Sequence, residues 1–480
     1  MNDEPLDALP AAVLAGLVRE LRAAMVRAEA RIAVLEAEVA TLRGGGPPVK
    51  TATNSSLPPA KGWQTRRPEP PVGTVPAKRG PKPGHAGRSR RRSPPSRIDV
   101  VLPCRPTQCA GCGADLPAVG GAVRGRRQVT ELPPIRPVVI EAQRLRVRCR
   151  RCGHGTVGCY PDGFGASGRF GPRLVATAAL LHEEHHIAYA RLVELYADLF
   201  GVAVSEGALV EAVGRLGRAL EPAAALIAAE VRQAAVVGSD ETGARVDGVT
   251  YWEWVFQTDT AAYHTIQRRR NTAVVLRFLD GVQPQVWVSD LWKPQLAAGA
   301  TAYQICISHQ LRDLEYARQA ETGAARRLAR AWARGMAGLL RAAVHLRNEQ
   351  VAGRVATDRY PAEVAEIESV VDGMLALPLP AGWSADLQRR FQAHRRGLLT
   401  FLHDLRVPPT NNASERSLRP SVVHRKVTGG FRSEAFAQGY AALRTVADTA
   451  RKRGHDLFAR LRAAAGPPLP LATHHALAGP

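Results

Sequence analysis

The sequence has no run of apolar residues long enough to cross a bilayer, which argues against a transmembrane helix. Its start, MNDEPLDALP, is acidic and lacks the basic segment that opens a secretory signal peptide. Cysteine is scarce: there are seven, an odd number, and most lie in close pairs. This pattern argues against a disulfide framework and for thiols that bind a metal. Together these features predict a cytoplasmic protein.

Basic residues, in contrast, are abundant. The 480 residues include 65 Lys and Arg against 43 Asp and Glu, which gives a net charge of +22 and a pI near 10.5. Such an excess predicts a polyanionic partner, and DNA or RNA is the commonest. A GC-rich genome that favours Arg codons is the alternative explanation. The length predicts several domains, because one compact core rarely serves so long a chain.

The first 100 residues predict two extended segments. Residues 1–46 carry an a/d heptad seam from Leu14 to Leu42, typical of a coiled coil. A homo-oligomer formed through residues 14–42 is favoured over a helix that packs on its own chain. Residues 47–100 are rich in Pro, Gly, Ser and Arg and predict a disordered basic arm able to lie along phosphates, or else a solvated linker. Its candidate DNA-binding residues are Lys78, Arg79 and Lys82.

Two C-x-x-C pairs mark residues 101–160. Cys109 and Cys112 form the first pair, and Cys149 and Cys152 form the second, with a β-rich stretch between them. Two such knuckles supply four thiolates, which is the ligand set of a structural Zn²⁺ in a zinc ribbon. Reduced or redox-active thiols are the alternative. Three nearby residues are possible substitute ligands: Cys104, Cys159 and His154.

Residues 161–232 have a helical pattern. A turn at Gly201 and an N-cap at Ser205 predict two helices joined as in a helix-turn-helix, although helical hairpins without DNA contacts have the same pattern. The stretch from His182 to His186 satisfies H-E-x-x-H, the zincin pattern. Because no convincing third ligand follows, we expect a surface patch there and not a metalloprotease.

Residues 233–460 switch to a strand period. Asp240 and Asp290 each follow an apolar strand, and Glu415 lies in "TNNASERSLRP", where a helix is expected to begin. A helical, Arg-rich insertion is predicted over about 311–405. Carboxylates from two strands and one helix can converge at one edge of a sheet. Taken singly, each of these carboxylates could equally have a structural role.

Such carboxylates would bind a hard dication, Mg²⁺ or Mn²⁺, as two-metal phosphodiester chemistry requires. Basic residues around Glu415 would contact phosphates: Arg416, Arg419, Arg425 and Lys426. Residues 461–480 are predicted to be a disordered tail.

Several motifs together resemble the insertion-sequence-66 type of bacterial transposase. They are "TNSSLPPAKG", "KRGPKPGHAG", the paired C-x-x-C knuckles, "GVAVSEGAL", "SDET" and "NNASERSLRP". The resemblance implies a DDE triad of Asp240, Asp290 and Glu415 in an RNase H-like catalytic core with a helical insertion. One departure is that the Gly-Tyr pair found after the second Asp in many members is missing here.

The resemblance further implies a transposase that cleaves the ends of an insertion sequence and joins them to target DNA. Companion proteins encoded by the same mobile element are possible partners. Two alternatives stay open at this stage. One is a metal-dependent nuclease without strand transfer, and the other is a non-catalytic DNA-binding protein derived from a transposase.

Overall fold

The computed structural model describes residues 50, 85, 91–164 and 170–469. The predicted coiled coil, with its oligomerisation segment 14–42, lies outside the described residues. So does most of the basic arm, including Lys78, Arg79 and Lys82. The chain divides into a small unit, Arg66–Val138 with Leu199–Gly201, and a large unit made of the remaining residues. Among the described helices, none combines the length and apolar character that a membrane crossing requires.

The described part of the small unit is largely irregular. It contains a short 3₁₀ helix, Pro95–Arg97, and an isolated antiparallel bridge between Gln108 and Asp115. In the large unit, two short antiparallel strands, β1 (Arg146–Arg148) and β2 (Gly155–Val157), form a hairpin. The predicted β-rich stretch between the two cysteine pairs therefore has regular strand structure only at β1.

Helices precede the main sheet, as predicted. They are α1 (Pro172–Ala179), a π-helical turn (Leu180–Glu184), α2 (Tyr189–Phe200) and α3 (Glu206–Arg232). Gly201 has a left-handed φ of 62°, which ends α2. Ser205 caps α3, since its side chain accepts a hydrogen bond from the Ala208 N–H. The predicted turn and N-cap are thus confirmed.

The main sheet has five strands in the order β5-β4-β3-β6-β7. Strands β3, β4 and β5 pair antiparallel, and β6 and β7 extend the sheet by parallel pairing next to β3. Their bounds are β3 (Val236–Val246), β4 (Val249–Gln257), β5 (Ala262–Gln267), β6 (Val286–Ser289) and β7 (Ala302–Ile305). Helix α4 (Thr272–Leu279) connects β5 to β6.

After β7 the chain is helical until its last described residues. The helices are α5 (Ile307–Ala320), α6 (Arg327–Val351), α7 (Tyr360–Ala376), α8 (Trp383–Ala393), α9 (Arg395–Leu398), α10 (Thr400–His403), α11 (Asn412–Thr428), α12 (Glu434–Lys452) and α13 (Leu457–Ala465). Helix α13 extends to Ala465, past the predicted start of the tail at residue 461.

Apolar side chains form separate cores in the large unit. One core joins β6 to the long helices α5 to α8 and contains Trp332 and Phe391, both almost fully buried. Another joins the sheet to α4 and contains Trp254 and Trp287, both with no exposed surface. Trp254 and Trp287 are therefore core residues.

A buried ionic network fastens α12 to the sheet. His264 on β5 lies 2.9 Å from Glu253 Oε1 through Nδ1 and 3.3 Å from Asp448 Oδ2 through Nε2. Burial lowers the pKa of His264, but hydrogen bonds to Asp448 and Glu253 outweigh it and raise that pKa above its ordinary value. Although burial opposes it, hydrogen bonding with His264 holds the pKa of Asp448 below its usual range. The imidazolium thus donates to a carboxylate on each side.

Candidate active site

The start of helix α11 is fastened to the sheet by buried polar side chains. Asn411, the residue before the helix, donates from Nδ2 to the backbone oxygen of Ser239 on β3 at 2.8 Å. Three residues later, Ser414 Oγ accepts a hydrogen bond from Gln257 Nε2 on β4 at 3.0 Å. These contacts place Glu415, in the first turn of α11 as predicted, against the sheet.

The two aspartates come from adjacent strands. Asp290 directly follows β6, as predicted. Asp240 does not end its strand, which corrects the prediction, because β3 continues to Val246 through antiparallel pairing with β4. However, the parallel pairing of β3 with β6 stops at Gly238. Asp240 therefore lies just beyond the point where the two strands separate, on the side where Asp290 emerges.

The acidic side chains repel one another. Burial raises the pKa of Asp240 well above its ordinary value, and the charges of Glu241, Asp290 and Glu415 raise it further. Burial also raises the pKa of Asp290 to about 6, with added repulsion from Glu241 and Glu415 and partial compensation by Arg270. Desolvation and like charges both disfavour the carboxylate form, and a bound cation would reverse both effects.

Two oxygens of this cluster lack hydrogen bonds. Asp290 Oδ1 and Glu415 Oε1 are buried without a hydrogen-bond partner among the described residues. The three carboxylates do not converge on one point, because only two other groups in the described chain bring three ligand atoms within 4.8 Å. A single ion bound directly by all three carboxylates would therefore require their ligand atoms to move closer together.

Glu241, next to Asp240, is already neutralised. Its side chain is only 1% exposed and accepts from Arg270 Nε and Nη2 at 3.0 and 2.7 Å and from Gln295 Nε2 at 2.6 Å. The Arg270 guanidinium lies between the rings of Trp252 and Trp292, 4.5 and 4.0 Å from their centroids. Glu241 is thus a structural anion, which leaves Asp240 as the acid available for a ligand. The motif "SDET" does not indicate which of its two acids has which role.

Glu415 has a second set of neighbours that the sequence reasoning missed. Cys306 Sγ, His309 and Glu415 offer three ligand atoms within 4.8 Å of one another. Glu415 Oε1 lies 3.8 Å from both His309 Nε2 and Arg312 Nη2. The Cys306 thiol accepts a hydrogen bond from the Asn411 N–H at 3.1 Å, and burial raises its pKa. These residues follow β7, and a Cys-x-x-His spacing is the only sequence signal they offer.

The basic residues predicted to contact DNA lie along α11. Arg416, Arg419 and Lys426 are exposed, and their spacing places them on one side of the helix. Arg425 is partly buried near Gly243 of β3. Three of the four predicted residues therefore present charge to solvent along α11, with Arg416 and Arg419 nearest to Glu415 in the helix.

The two cysteine knuckles, which fall in different units, have the same local geometry. In each, the Gly N–H four residues after the first Cys donates to that Cys carbonyl at 2.9 Å: Gly113 to Cys109 and Gly153 to Cys149. Backbone amides inside each turn lower the pKa of the first thiol, led by Gly111 for Cys109 and by Cys152 for Cys149. A turn that favours thiolate is suited to binding a metal.

Two protein-family models match the chain. Residues 167–439 match the model of the transposase IS66 family, and residues 106–153 match the zinc-finger binding domain of transposase IS66. The first match covers more than half of the sequence, so the chain belongs to the IS66 transposase family. The second match spans both cysteine knuckles and supports a structural zinc. No curated protein matches the chain.

Proposed function

We propose that the chain is a DNA transposase that cleaves the ends of an insertion sequence and joins them to target DNA. Asp240, Asp290 and Glu415 would hold two Mg²⁺ or Mn²⁺ ions. The observation that carries the proposal is that Asp240 and Asp290 come from adjacent strands and that Asp290 Oδ1 and Glu415 Oε1 are buried without a hydrogen-bond partner among the described residues. Since a buried charge is costly unless it is paired, an assembly of like charges with two unsatisfied oxygens suits a cation ligand.

The metal pair, when bound, would activate an attacking oxygen and stabilise the leaving oxygen of a phosphodiester. The role of the chain itself is to hold the three acids in place. Arg270 neutralises Glu241 and lowers the pKa of Asp290, and Asn411 and Ser414 fix the turn that carries Glu415. The same site would serve both cleavage and joining, because both are in-line displacements at phosphorus.

The fold supports an RNase H-like core, as the family resemblance implies. Three antiparallel strands extended by two parallel strands bring Asp240 and Asp290 to neighbouring positions. We propose that residues 233–460 are this catalytic domain and that the helices over about 311–405 are an insertion within it. The segment 161–232 would be a separate helical, helix-turn-helix-like domain.

DNA contacts would come from several places. Arg416 and Arg419 would hold phosphates next to the acidic site, and Lys426 would hold them further along α11. The arm 47–100 would add sequence-independent affinity. Self-association through residues 14–42 and companion proteins of the same element remain proposals that rest on sequence alone.

We also propose that Cys109, Cys112, Cys149 and Cys152 together bind one structural Zn²⁺. The matching turns and the zinc-finger domain match support this assignment. Such a site contributes folding energy directly, so its loss would unfold the region locally.

The test is charge removal at constant size. Glu415→Gln and Asp240→Asn should abolish Mg²⁺-dependent cleavage and joining of element-end DNA, with folding and DNA affinity retained; Asp290→Asn should behave alike. A double variant should be little worse than either single, as expected for groups that act as one unit. The matched control is Glu315→Gln on α5, where the carboxylate already pairs with Arg318 at 2.7 Å, and it should remain active.

The outcomes separate the alternatives. Strand transfer close to wild type in folded Glu415→Gln protein would refute the metal-site assignment. Wild-type protein that cuts end DNA but never joins it would be a nuclease. Wild-type protein that binds ends with high affinity but leaves them uncut, with either Mg²⁺ or Mn²⁺, would be a non-catalytic DNA-binding protein.

A further inference from the structure

A second cluster of possible metal ligands lies away from the acidic site. His182 and Glu183 are on the π-helical turn Leu180–Glu184, and His424 is on α11. All three are buried, with 3–5% of their surface exposed, and their ligand atoms lie within 4.8 Å of one another. Glu183 Oε1 is 3.9 Å from His182 Nε2, and Glu183 Oε2 is 3.9 Å from His424 Nδ1.

The expectation of a surface histidine patch is therefore wrong for the two residues that open the motif. The H-E-x-x-H pattern requires both histidines on one face of a regular helix. Here the π-helical turn ends before His186, which has a left-handed φ of 56°. Its imidazole is not part of the three-residue cluster. The zincin arrangement is not formed, and the third ligand comes from a helix more than 200 residues later in the sequence.

The cluster has unused bonding capacity. Glu183 Oε2 and His424 Nδ1 are buried without a hydrogen-bond partner among the described residues. The neighbouring Glu184 shows the contrast, because its carboxylate contacts both Arg444 and Arg451. A buried polar atom without a hydrogen bond is costly, so Glu183 Oε2 and His424 Nδ1 are suited to binding a ligand.

One ring is already oriented to bind. His182 Nδ1 lies 2.8 Å from the carbonyl oxygen of Ile187, to which it donates, so the lone pair is on Nε2, the atom that faces Glu183. Metal-binding histidines are commonly fixed in this way. Both rings are buried, which disfavours the charged imidazolium, and the neutral imidazole is the form that binds metals.

We propose that His182, Glu183 and His424 form a transition-metal site of the Zn²⁺ class, with its remaining coordination position open to an adjacent cleft. Two imidazoles and one carboxylate favour zinc or a similar ion over Mg²⁺. Bonds of ~2.0–2.2 Å place tetrahedral ligand atoms ~3.3 Å apart. The two contacts of 3.9 Å, one to each oxygen of Glu183, and the other ligand distances, all within 4.8 Å, would therefore shorten on binding. The cleft has a volume of about 380 Å³ and is lined by residues that include Tyr189, Phe431 and Arg432.

The ion would connect the π-helical turn to helix α11. His424 lies nine residues after Glu415 on the same helix, ~13 Å along the axis at 1.5 Å per residue. The site is thus separate from the proposed catalytic carboxylates. Its effect would be to fix the C-terminal half of α11 on the π-helical turn.

The experiment measures metal content in full-length protein. Wild type purified with Zn²⁺ should hold two equivalents, and Cys112→Ser with Cys152→Ser should leave one. Adding Glu183→Gln or His424→Gln to that double variant should remove the remaining equivalent. His185→Gln is the matched control, because His185 is exposed and outside the cluster, and this variant should keep the ion.

Cobalt distinguishes this site from other ligand sets. In the Cys112→Ser, Cys152→Ser protein, Co²⁺ alone should give visible d–d bands without a thiolate charge-transfer band. Glu183→Gln should remove these bands while Glu415→Gln should not, which separates the site from both the Cys306 group and the catalytic acids. Should Glu183→Gln fail to fold, a Zn²⁺-dependent rise in melting temperature of the cysteine double variant still tests the proposal. No bound metal and no rise in melting temperature in that double variant would overturn it, as would a thiolate band.

Discussion

Replacing Arg270 with Met should destabilise the large unit far more than loss of an ordinary surface arginine. Arg270 is 37% exposed in its side chain, but its partner Glu241 is 1% exposed, and Gln295 is its one further side-chain donor among the residues that the structure describes. Met keeps the approximate length of the side chain between Trp252 and Trp292 but lacks the guanidinium. The change therefore removes both the positive charge next to a buried carboxylate and the cation–π contacts, which the comparison with Glu241→Gln separates.

The magnitude follows from the burial of the anion. Removing one partner of a buried pair costs ~3–5 kcal/mol, because the other charge is left uncompensated. Partial exposure of Arg270 and the hydrogen bond from Gln295 reduce this, and we expect ~2 kcal/mol. The comparison variant is Arg389→Met, whose pair with Asp386 is 67% and 63% exposed. Exposed pairs contribute ~0–1 kcal/mol, so this change should be almost silent.

Urea unfolding of four proteins tests the reasoning: wild type, Arg270→Met, Glu241→Gln and the double variant. If the cost comes from a stranded charge, Glu241→Gln should remove most of the penalty of Arg270→Met. The coupling energy should then be at least ~1 kcal/mol. A coupling near zero, or an Arg270→Met cost no larger than that of Arg389→Met, would refute the account and assign the role of Arg270 to stacking alone.

The remaining predictions concern stability. A Cβ at Gly217 would lie 2.8 Å from the backbone oxygen of Gly439, so Gly217→Ala should lower the free energy of unfolding by ~1–2 kcal/mol despite a helix-propensity gain of ~1. Gly338→Ala, in α6 with nothing within 4 Å, should raise it by ~0.5–1 kcal/mol; equal thermal shifts for both would contradict the packing argument. The contribution of His264 is complete below its unfolded pKa of ~6.5 and should be lost as pH rises through its raised folded pKa. That of Asp448 is complete above ~3.9 and should be lost as pH falls. Unfolding measured against pH should show a flatter alkaline limb in His264→Asn, and an unchanged limb would count against the network.

Local patterns predicted the parts of the site that local chemistry determines. The apolar run before Asp290 is a strand with the acid directly after it, and Ser205 caps a helix as its spacing required. Glu415 lies in the first turn of its helix, where an acidic side chain is favoured by the helix dipole. The position of Asp240 at the end of its strand was predicted wrongly. Strand β3 continues past Asp240 because it stays paired with β4 after its pairing with β6 has ended, and hydrophobic periodicity does not show which strands pair.

Contacts between residues that are distant in the sequence could not be predicted from it. The pairing of Glu241 with Arg270 depends on the close approach of β3 to the loop after β5, and "SDET" alone does not distinguish its two acids. Likewise, the burial of His182 and Glu183 depends on α11, more than 200 residues away. A residue pattern shows which ionisable and ligand atoms a segment carries. Whether those atoms are buried or paired depends on which distant element packs against the segment.

Helix α11 illustrates this dependence, because its own sequence is a poor helix former. Pro420 lies inside it, where a proline typically costs ~3 kcal/mol, and serines recur through its first half. The serines lie on the buried face: Ser414 accepts from Gln257, and Ser421 donates to Glu253 at 2.8 Å. Contacts with the sheet therefore offset the low helix propensity of α11. They also fix the rotation of the helix about its axis and its position along that axis. A stronger helix former with an apolar buried face would be more stable locally but would leave the direction of the Glu415 carboxylate unspecified.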